Sequence, residues 1–120
     1  MQIDRQDLSE RLLEFSANAI KLTAKLNRSV IGRHIANQLM RASTSCGANY
    51  EEACAAESRA DFIHKMQIVL KEMRESRYSL RLIVKVGLFP ESGLPGLLRE
   101  SDELVKIFAK SVITAKGRDR

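Results

Sequence analysis

Apolar residues recur along this chain with the spacing of an α-helix rather than that of a β-strand. Over the first quarter, the steps between apolar positions alternate between four and three residues: Leu8, Leu12, Phe15, Ala19, Leu22 and Leu26. Such positions form a stripe on one side of a helix, because an α-helix turns once every ~3.6 residues. Acidic side chains precede basic ones along this stretch, which suits the helix dipole. The pattern predicts a first helix over about residues 6–27.

Three further stripes follow, from Ile35 to Ala56, from Phe62 to Ile83 and from Leu98 to Val112. They predict helices over about residues 30–57, 60–86 and 95–116. The second is rich in small residues from Ala42 onward, so we expect it to lie at the centre, in close contact with its neighbours. Ser29 or Asn27 is expected to cap the second helix, and Ser58 the third. A cluster of glycine and proline residues marks the longest loop, over about residues 87–95.

Four amphipathic helices with short connections predict an all-α, up-down-up-down antiparallel four-helix bundle, formed as a single domain over residues 1–120. A long two-helix hairpin that dimerises is the alternative. No apolar run approaches the roughly 18 residues that span a membrane. The N-terminus has no apolar signal core. We therefore expect a cytoplasmic protein with no membrane contact.

The residue types that perform catalysis or bind metals are not arranged for either purpose. Asp61 and His64 stand three apart, but the chain has only two histidines, whereas a di-iron bundle needs two Glu-x-x-His pairs and two more glutamates. Cys46 and Cys54 would lie about 12 Å apart on one helix, too far for a disulfide. We predict no catalytic residue, no metal site and no cofactor, and two free thiols, as expected in a reducing cytoplasm.

Polar residues recur on two of the predicted helices at helical spacing. They are Ser45, Asn49 and Glu52 on the second helix and Glu72, Glu75 and Tyr78 on the third. Antiparallel packing could bring the two sets together. The structural interpretation is a polar network that fixes helix register or a subunit contact, as a buried asparagine does in coiled coils. The functional interpretation is a pocket of paired carboxylates, and an enzyme using Glu52, Glu72 and Glu75 would follow from it.

Basic residues gather toward one end of the predicted bundle. The chain has 20 Lys and Arg against 15 Asp and Glu, a net charge of +5. The candidates for nucleic-acid binding are Lys21, Lys25, Arg28, Arg33, Arg74, Arg77, Arg81 and Lys85. The helix dipole accounts for basic residues late in the first helix, but less well for the four cations on the third. With few aromatic residues outside the predicted core, any RNA contact would be mainly to phosphates.

Two stretches resemble a known family. Residues 38–45, QLMRASTS, followed by NYEEA at 49–53, resemble the signature of the 23S rRNA intervening-sequence protein family. On the third helix, Lys71-Glu72, Glu75 and Tyr78-Ser79-Leu80 resemble its second motif. The resemblance covers about residues 10–115. It implies a bacterial four-helix bundle that forms homo-oligomers, with pentamers known, and is similar in fold to the reverse-transcriptase accessory proteins of diversity-generating retroelements.

Two non-catalytic hypotheses stand beside that of an enzyme using Glu52, Glu72 and Glu75. The first is a ring-forming, non-catalytic bundle that binds RNA or a nucleoprotein through its basic surface. The alternative is a protein-interaction scaffold, such as a reverse-transcriptase accessory protein, that does not itself recognise nucleic acid.

Overall fold

Four helices account for most of the chain. The computed structural model describes residues 5–94 and 96–117. The helices are α1 (Arg5–Thr23), α2 (Val30–Cys54), α3 (Arg59–Lys85) and α4 (Leu97–Gly117), with a 3-10 turn at Glu91–Gly93. No β-strand occurs in these residues. The all-α class and the four-helix bundle are therefore confirmed.

Contacts between neighbouring helices fix their relative direction. Between α1 and α2, Ser9 Oγ donates to Glu51 Oε1, and Ser16 Oγ donates to the Ser43 carbonyl, both at 2.8 Å. As the residue number increases along α1, the residue number of the contacted partner on α2 decreases, so the two helices run antiparallel. The same order holds between α2 and α3, where Glu52 meets Lys65 and Arg41 meets Glu72.

The core is built from one stripe of each helix. All six apolar positions that define the α1 stripe are buried. The largest fully buried side chains include Phe15, Leu39, Met73, Leu104 and Phe108. On α2 the contacts use small residues, and Ser16 reaches the Ser43 backbone directly. Packing α2 closely against both α1 and α3 removes these stripes from water, which is the main term that stabilises the bundle.

The register of α2 differs from the predicted stripe at one position. Asn49, placed on the core seam by the sequence pattern, is only half-buried, and Tyr50 takes the core position instead. The Tyr50 ring packs edge-on against Phe108 of α4, with 5.7 Å between ring centroids. The larger ring buries more apolar area than an amide, so the helix turns it inward.

Two helix boundaries differ from the sequence-based ones. α1 ends at Thr23 and α2 at Cys54, although both were expected to continue for a further turn. Leu26 is buried although it follows the end of α1, so the buried apolar stripe extends beyond the helix. Ser29 caps α2 by accepting a hydrogen bond from the Gly32 amide. A Cβ at Gly32 would overlap the Leu26 carbonyl oxygen, so this glycine permits the close turn.

The connection between α3 and α4 begins with a Schellman motif. The Leu88 amide donates to the Ile83 carbonyl and the Gly87 amide to the Val84 carbonyl, with Gly87 at φ 75°. This left-handed conformation favours glycine and ends the helix. The predicted start of the fourth helix at Pro95 lies outside the described residues; α4 begins at Leu97. Among the described helices, none is both long and apolar enough to cross a lipid bilayer.

Shortening a core side chain of α4 should destabilise the protein far more than shortening an exposed one. Leu104 is fully buried, whereas Ile113 on the same helix is 71% exposed. We expect Leu104→Ala to lower the free energy of unfolding by about 2–5 kcal/mol, because it leaves a cavity. The matched Ile113→Ala should change it by less than about 0.5 kcal/mol. Urea denaturation measures both, and equal effects would contradict the packing described here.

Candidate nucleic-acid interface

The antiparallel packing brings the end of α1, the start of α2 and the end of α3 to one end of the molecule. Six of the eight candidate cations lie on these segments and define what we name the basic end: Lys21, Lys25, Arg28, Arg33, Arg81 and Lys85. The α3–α4 loop joins them, because Lys25 Nζ lies 5.6 Å from the centroid of the Phe89 ring. Leu88 and Phe89 line a hollow with residues 24–29 of the α1–α2 turn.

The remaining two candidates, Arg74 and Arg77, lie nearer the middle of α3 and face different neighbouring helices. Arg74 lines a groove between α2 and α3. Arg77 turns toward α4, where its Nη1 atom lies 3.7 Å from Asp102 Oδ1. Arg81 shares the α3–α4 side with Arg77. The stripe predicted from the spacing of α3 is therefore divided, with Arg74 in one groove and Arg77 and Arg81 in the other.

The predicted polar network is divided in a similar way. Asn49 Nδ2 donates to both the carbonyl and the hydroxyl of Ser45, at 3.0 Å each, within its own helix. Glu52 pairs with Lys65 at 2.8 Å. Tyr78 is 64% exposed. Because α2 and α3 run antiparallel, Glu52 meets the first half of α3, and Glu72 and Glu75 lie opposite an earlier part of α2.

Glu72 and Glu75 form a carboxyl pair beside Arg41. Arg41 Nη1 lies 3.4 Å from Glu72 Oε2, and its Nη2 lies 3.8 Å from Glu75 Oε2. The Glu72 side chain is only 6% exposed. Burial raises the pKa of Glu72, and the neighbouring charge of Glu75 raises it further, while Arg41 opposes both. Arg41 thus compensates part of the cost of burying these carboxyl groups.

The side chains considered for catalysis or metal binding are dispersed. Asp61 and His64 are both exposed. In the part of the chain that the structure describes, no three His, Cys, Asp or Glu side chains are grouped as metal ligands. Both cysteines are free thiols. Burial raises the pKa of Cys46 to about 12, and Glu72 adds to this shift, so that thiol stays protonated at neutral pH.

Comparison with known proteins identifies the family. A profile of the 23S rRNA-intervening sequence proteins matches residues 5–110. The chain belongs to this family. Among solved structures, it is similar to a protein of unknown function from the S23 ribosomal protein family of Bacteroides thetaiotaomicron VPI-5482. The identity is 31%, the TM-score is 0.77, and the match covers 87% of this chain and 96% of that one. A comparison with curated proteins gave no match.

In this 23S rRNA-intervening sequence protein, the two stretches that carry the resemblance meet across α2 and α3. Gln38 and Arg41 of the first stretch line one groove with Glu75, Tyr78 and Ser79 of the second. Several other residues in the two stretches are buried in the core: Leu39, Ala42, Ser43, Tyr50, Ala53 and Leu80. Much of the resemblance therefore reflects how α2 packs against α3.

Two arginines that the sequence pattern did not single out have defined positions. Arg11 of α1 makes a two-pronged contact with Glu100 of α4, with Nη2 and Nε at 2.7 and 3.0 Å from the carboxylate oxygens. Arg99 lines the α3–α4 side together with Arg77 and Arg81. Each position depends on how α4 packs against another helix, so helical spacing alone could not reveal it.

The buried Glu72 predicts a pH-dependent stability in this 23S rRNA-intervening sequence protein. Its pKa is higher in the folded than in the unfolded chain, so its contribution is most favourable at low pH. That contribution is lost as the pH rises through the folded pKa. Glu72→Gln keeps the shape without the charge. We expect the unfolding free energy of the wild type, relative to Glu72→Gln, to fall as the pH rises above the ordinary glutamate pKa of about 4.3.

The control is Glu57→Gln, which changes an exposed carboxylate near the α2–α3 turn. Relative to that variant, the wild type should show no comparable fall. Denaturant titrations at several pH values give the comparison. A difference between wild type and Glu72→Gln that does not change with pH would contradict the raised pKa.

Proposed function

We propose that this protein is a non-catalytic, homo-oligomeric bundle that binds RNA through phosphate contacts at its basic end. The observation that carries the proposal is a local excess of cations without acidic partners. Residues 15–50 contain no Asp or Glu, and neither do residues 76–90. These two stretches supply the whole basic end.

Ion pairing separates the basic-end cations from the arginines inside the bundle. Arg11 and Arg41 are held by glutamates of other helices. By contrast, Lys21, Arg28, Arg81 and Lys85 are exposed and have no ion-pair partner among the described residues. Such side chains remain free to neutralise phosphates and release the counterions that RNA condenses, which is the main source of sequence-independent affinity.

The aromatic residues favour contacts to phosphates over contacts to bases. Phe15, Tyr50 and Phe108 are buried, and Phe62 and Phe89 are partly buried. Tyr78 is exposed but lies in the α2–α3 groove and outside the basic end. Few ring faces are open for base stacking, so the expected RNA binding depends strongly on salt and weakly on sequence.

An apolar groove on the α1–α2 side supports self-association. Leu13, Ala17 and Ile20 of α1 face it, together with Gly47 and Ala48 of α2. Leu13 is 65% exposed and Ile20 is 44% exposed. Covering these side chains with a second copy would remove apolar area from water. In a ring, each copy would add its own basic end, which would strengthen RNA binding by multivalency.

Reversing charges at the basic end should weaken RNA binding and its dependence on salt. We expect the triple variant Lys21→Glu, Arg28→Glu, Lys85→Glu to bind single-stranded RNA more weakly. The slope of log K against log salt should shrink by about 2, since each phosphate contact contributes about 0.7 for single strands. Fluorescence anisotropy with labelled RNA over a salt series provides the slope.

A control with the same net charge separates a local effect from a general one. Lys106, Lys110 and Lys116 are exposed on the middle and the last turns of α4, away from the basic end. Reversing these three changes the total charge by the same amount. A loss of affinity as large as that of the basic-end variant would contradict the proposed site, as would unchanged binding in the basic-end variant.

Disrupting the α1–α2 groove should dissociate the oligomer. Placing glutamate at both Leu13 and Ile20 puts two charges on the apolar surface, whose burial in an interface is costly. We expect light scattering to give a solution mass of several chains for the wild type and of one chain for the double variant. Ile113→Glu, at an exposed position on α4, is the control and should leave the mass unchanged.

The same groove favours a second candidate function, a scaffold that binds another protein. A wild-type protein that is monomeric over the whole concentration range would contradict self-association and favour this candidate. The groove would then be available to an apolar segment of a partner. The two functions differ in their dependence on salt, because apolar docking is much less sensitive to ionic strength than phosphate binding.

A further inference from the structure

Three arginines line a single cleft beside the basic end. The cleft lies between the second half of α3 and the first turn of α4 and has a volume of about 910 Å³. Arg77 and Arg81 reach it from α3, and Arg99 reaches it from α4. The α3–α4 loop closes one side with Glu91 and Ser92. The functional proposal above places Arg81 at the basic end but assigns no ligand to Arg77, to Arg99 or to the cleft as a whole.

The three guanidinium groups are not equivalent. Arg77 is only 32% exposed and is held by Asp102 at 3.7 Å. Arg81 and Arg99 are exposed, and no acidic side chain pairs with either within the residues that the structure describes. Guanidinium groups bind phosphate through two parallel hydrogen bonds each, so two of them on facing helices match one phosphate group.

The backbone at the start of α4 lies beside the same cleft. The Gly96 carbonyl accepts the first helical hydrogen bond, from the Glu100 amide at 2.9 Å, so Gly96 is the capping position. Glycine has no side chain to occupy the free amides of the first turn. Gly96 and Leu98 both line the cleft. Free amides in the first turn of a helix attract phosphate, but here they would not define a site without the arginines.

The acidic residues of the cleft limit what it can hold. Glu91 and Asp102 stand among the three arginines. A phosphodiester backbone that crossed the cleft would pass these carboxylates and meet repulsion. A single terminal phosphate could reach Arg81 and Arg99 from the open side. A phosphate monoester also carries up to two negative charges, more than one phosphodiester group, and so gains more from two guanidinium groups.

We propose that the α3–α4 cleft binds a phosphate monoester, with Arg81 and Arg99 as its ligands, and that the monoester is the phosphorylated end of an RNA strand. The inference rests on the RNA-binding proposal for its source of phosphate. The volume of the cleft exceeds that of a phosphate group and leaves room for the adjoining nucleotide. Arg77 is already paired with Asp102, so it forms part of the lining of the cleft and is not assigned as a phosphate ligand.

The test compares one short single-stranded RNA in three forms, with a 5′-phosphate, a 3′-phosphate or hydroxyl groups at both ends. In the wild-type protein, we expect one terminal phosphate to increase the affinity at least about tenfold, as charge-assisted hydrogen bonds of this kind warrant. The single variant Arg99→Gln should lose most of this gain while its affinity for hydroxyl-ended RNA changes by less than about threefold, because Arg99 lies outside the basic end. The double variant Arg81→Gln, Arg99→Gln should lose the whole gain, and its affinity for hydroxyl-ended RNA should fall as well because Arg81 belongs to the basic end. Lys106→Gln, Lys110→Gln is the matched control and should keep the gain.

The outcomes separate this inference from the functional proposal. If all three RNAs bind with equal affinity to the wild type, the end-binding cleft is wrong and RNA binding stands. If the double variant retains the gain, the site lies elsewhere and the assignment is overturned. If no RNA binds, the functional proposal fails. In that case, uridine monophosphate tests whether the cleft binds a phosphate monoester at all. Changes in the amide NMR signals of Leu98 and Arg99 that are absent in the double variant would support a small phosphate monoester as the ligand. No changes in these signals would overturn the cleft assignment.

Discussion

The close approach of α2 to its two neighbours is the constraint on which the rest of the structure depends. Ala42, Ser43, Cys46 and Ala53 are all buried. Their short side chains allow Ser16 of α1 to donate directly to the Ser43 carbonyl. On the other side, the Cys46 thiol lies 3.8 Å from the Val69 carbonyl of α3. Larger residues would push the helices apart, because packed cores do not absorb added volume easily.

This packing also determines where the charges lie. With α2 held between α1 and α3, the α1–α2 turn and the end of α3 lie at the same end of the bundle. Gly32 keeps the α1–α2 turn close to the first turn of α2. The α3–α4 loop then contacts the α1–α2 turn, because the ring of Phe89 lies beneath the ammonium group of Lys25. The basic end is therefore a consequence of helix packing combined with two stretches of sequence that lack acidic residues.

The fold could be predicted from the sequence because its main signal is periodic and local. The α1 stripe from Leu8 to Leu26 is buried as predicted, and Ser58 caps α3 through the Asp61 amide. Asn49 and Tyr50 show the limit of this reasoning, since adjacent positions compete for one core site and the ring of Phe108 favours Tyr50. That ring lies on α4, so the choice depends on a contact that helical spacing along α2 does not contain.

The candidate site was less predictable, because it depends on which cations have partners. Arg41 and Arg81 are both exposed arginines on helices, and helical spacing alone does not show which of them has an acidic partner. In the structure, Arg41 meets the buried Glu72, whereas Arg81 faces an open cleft. An arginine that neutralises a buried carboxylate contributes to the fold, and removing it would leave an uncompensated charge. An arginine without such a partner contributes little to stability and is available to bind a ligand. The division between structural and functional cations therefore follows from the contacts between helices, and net charge alone does not reveal it.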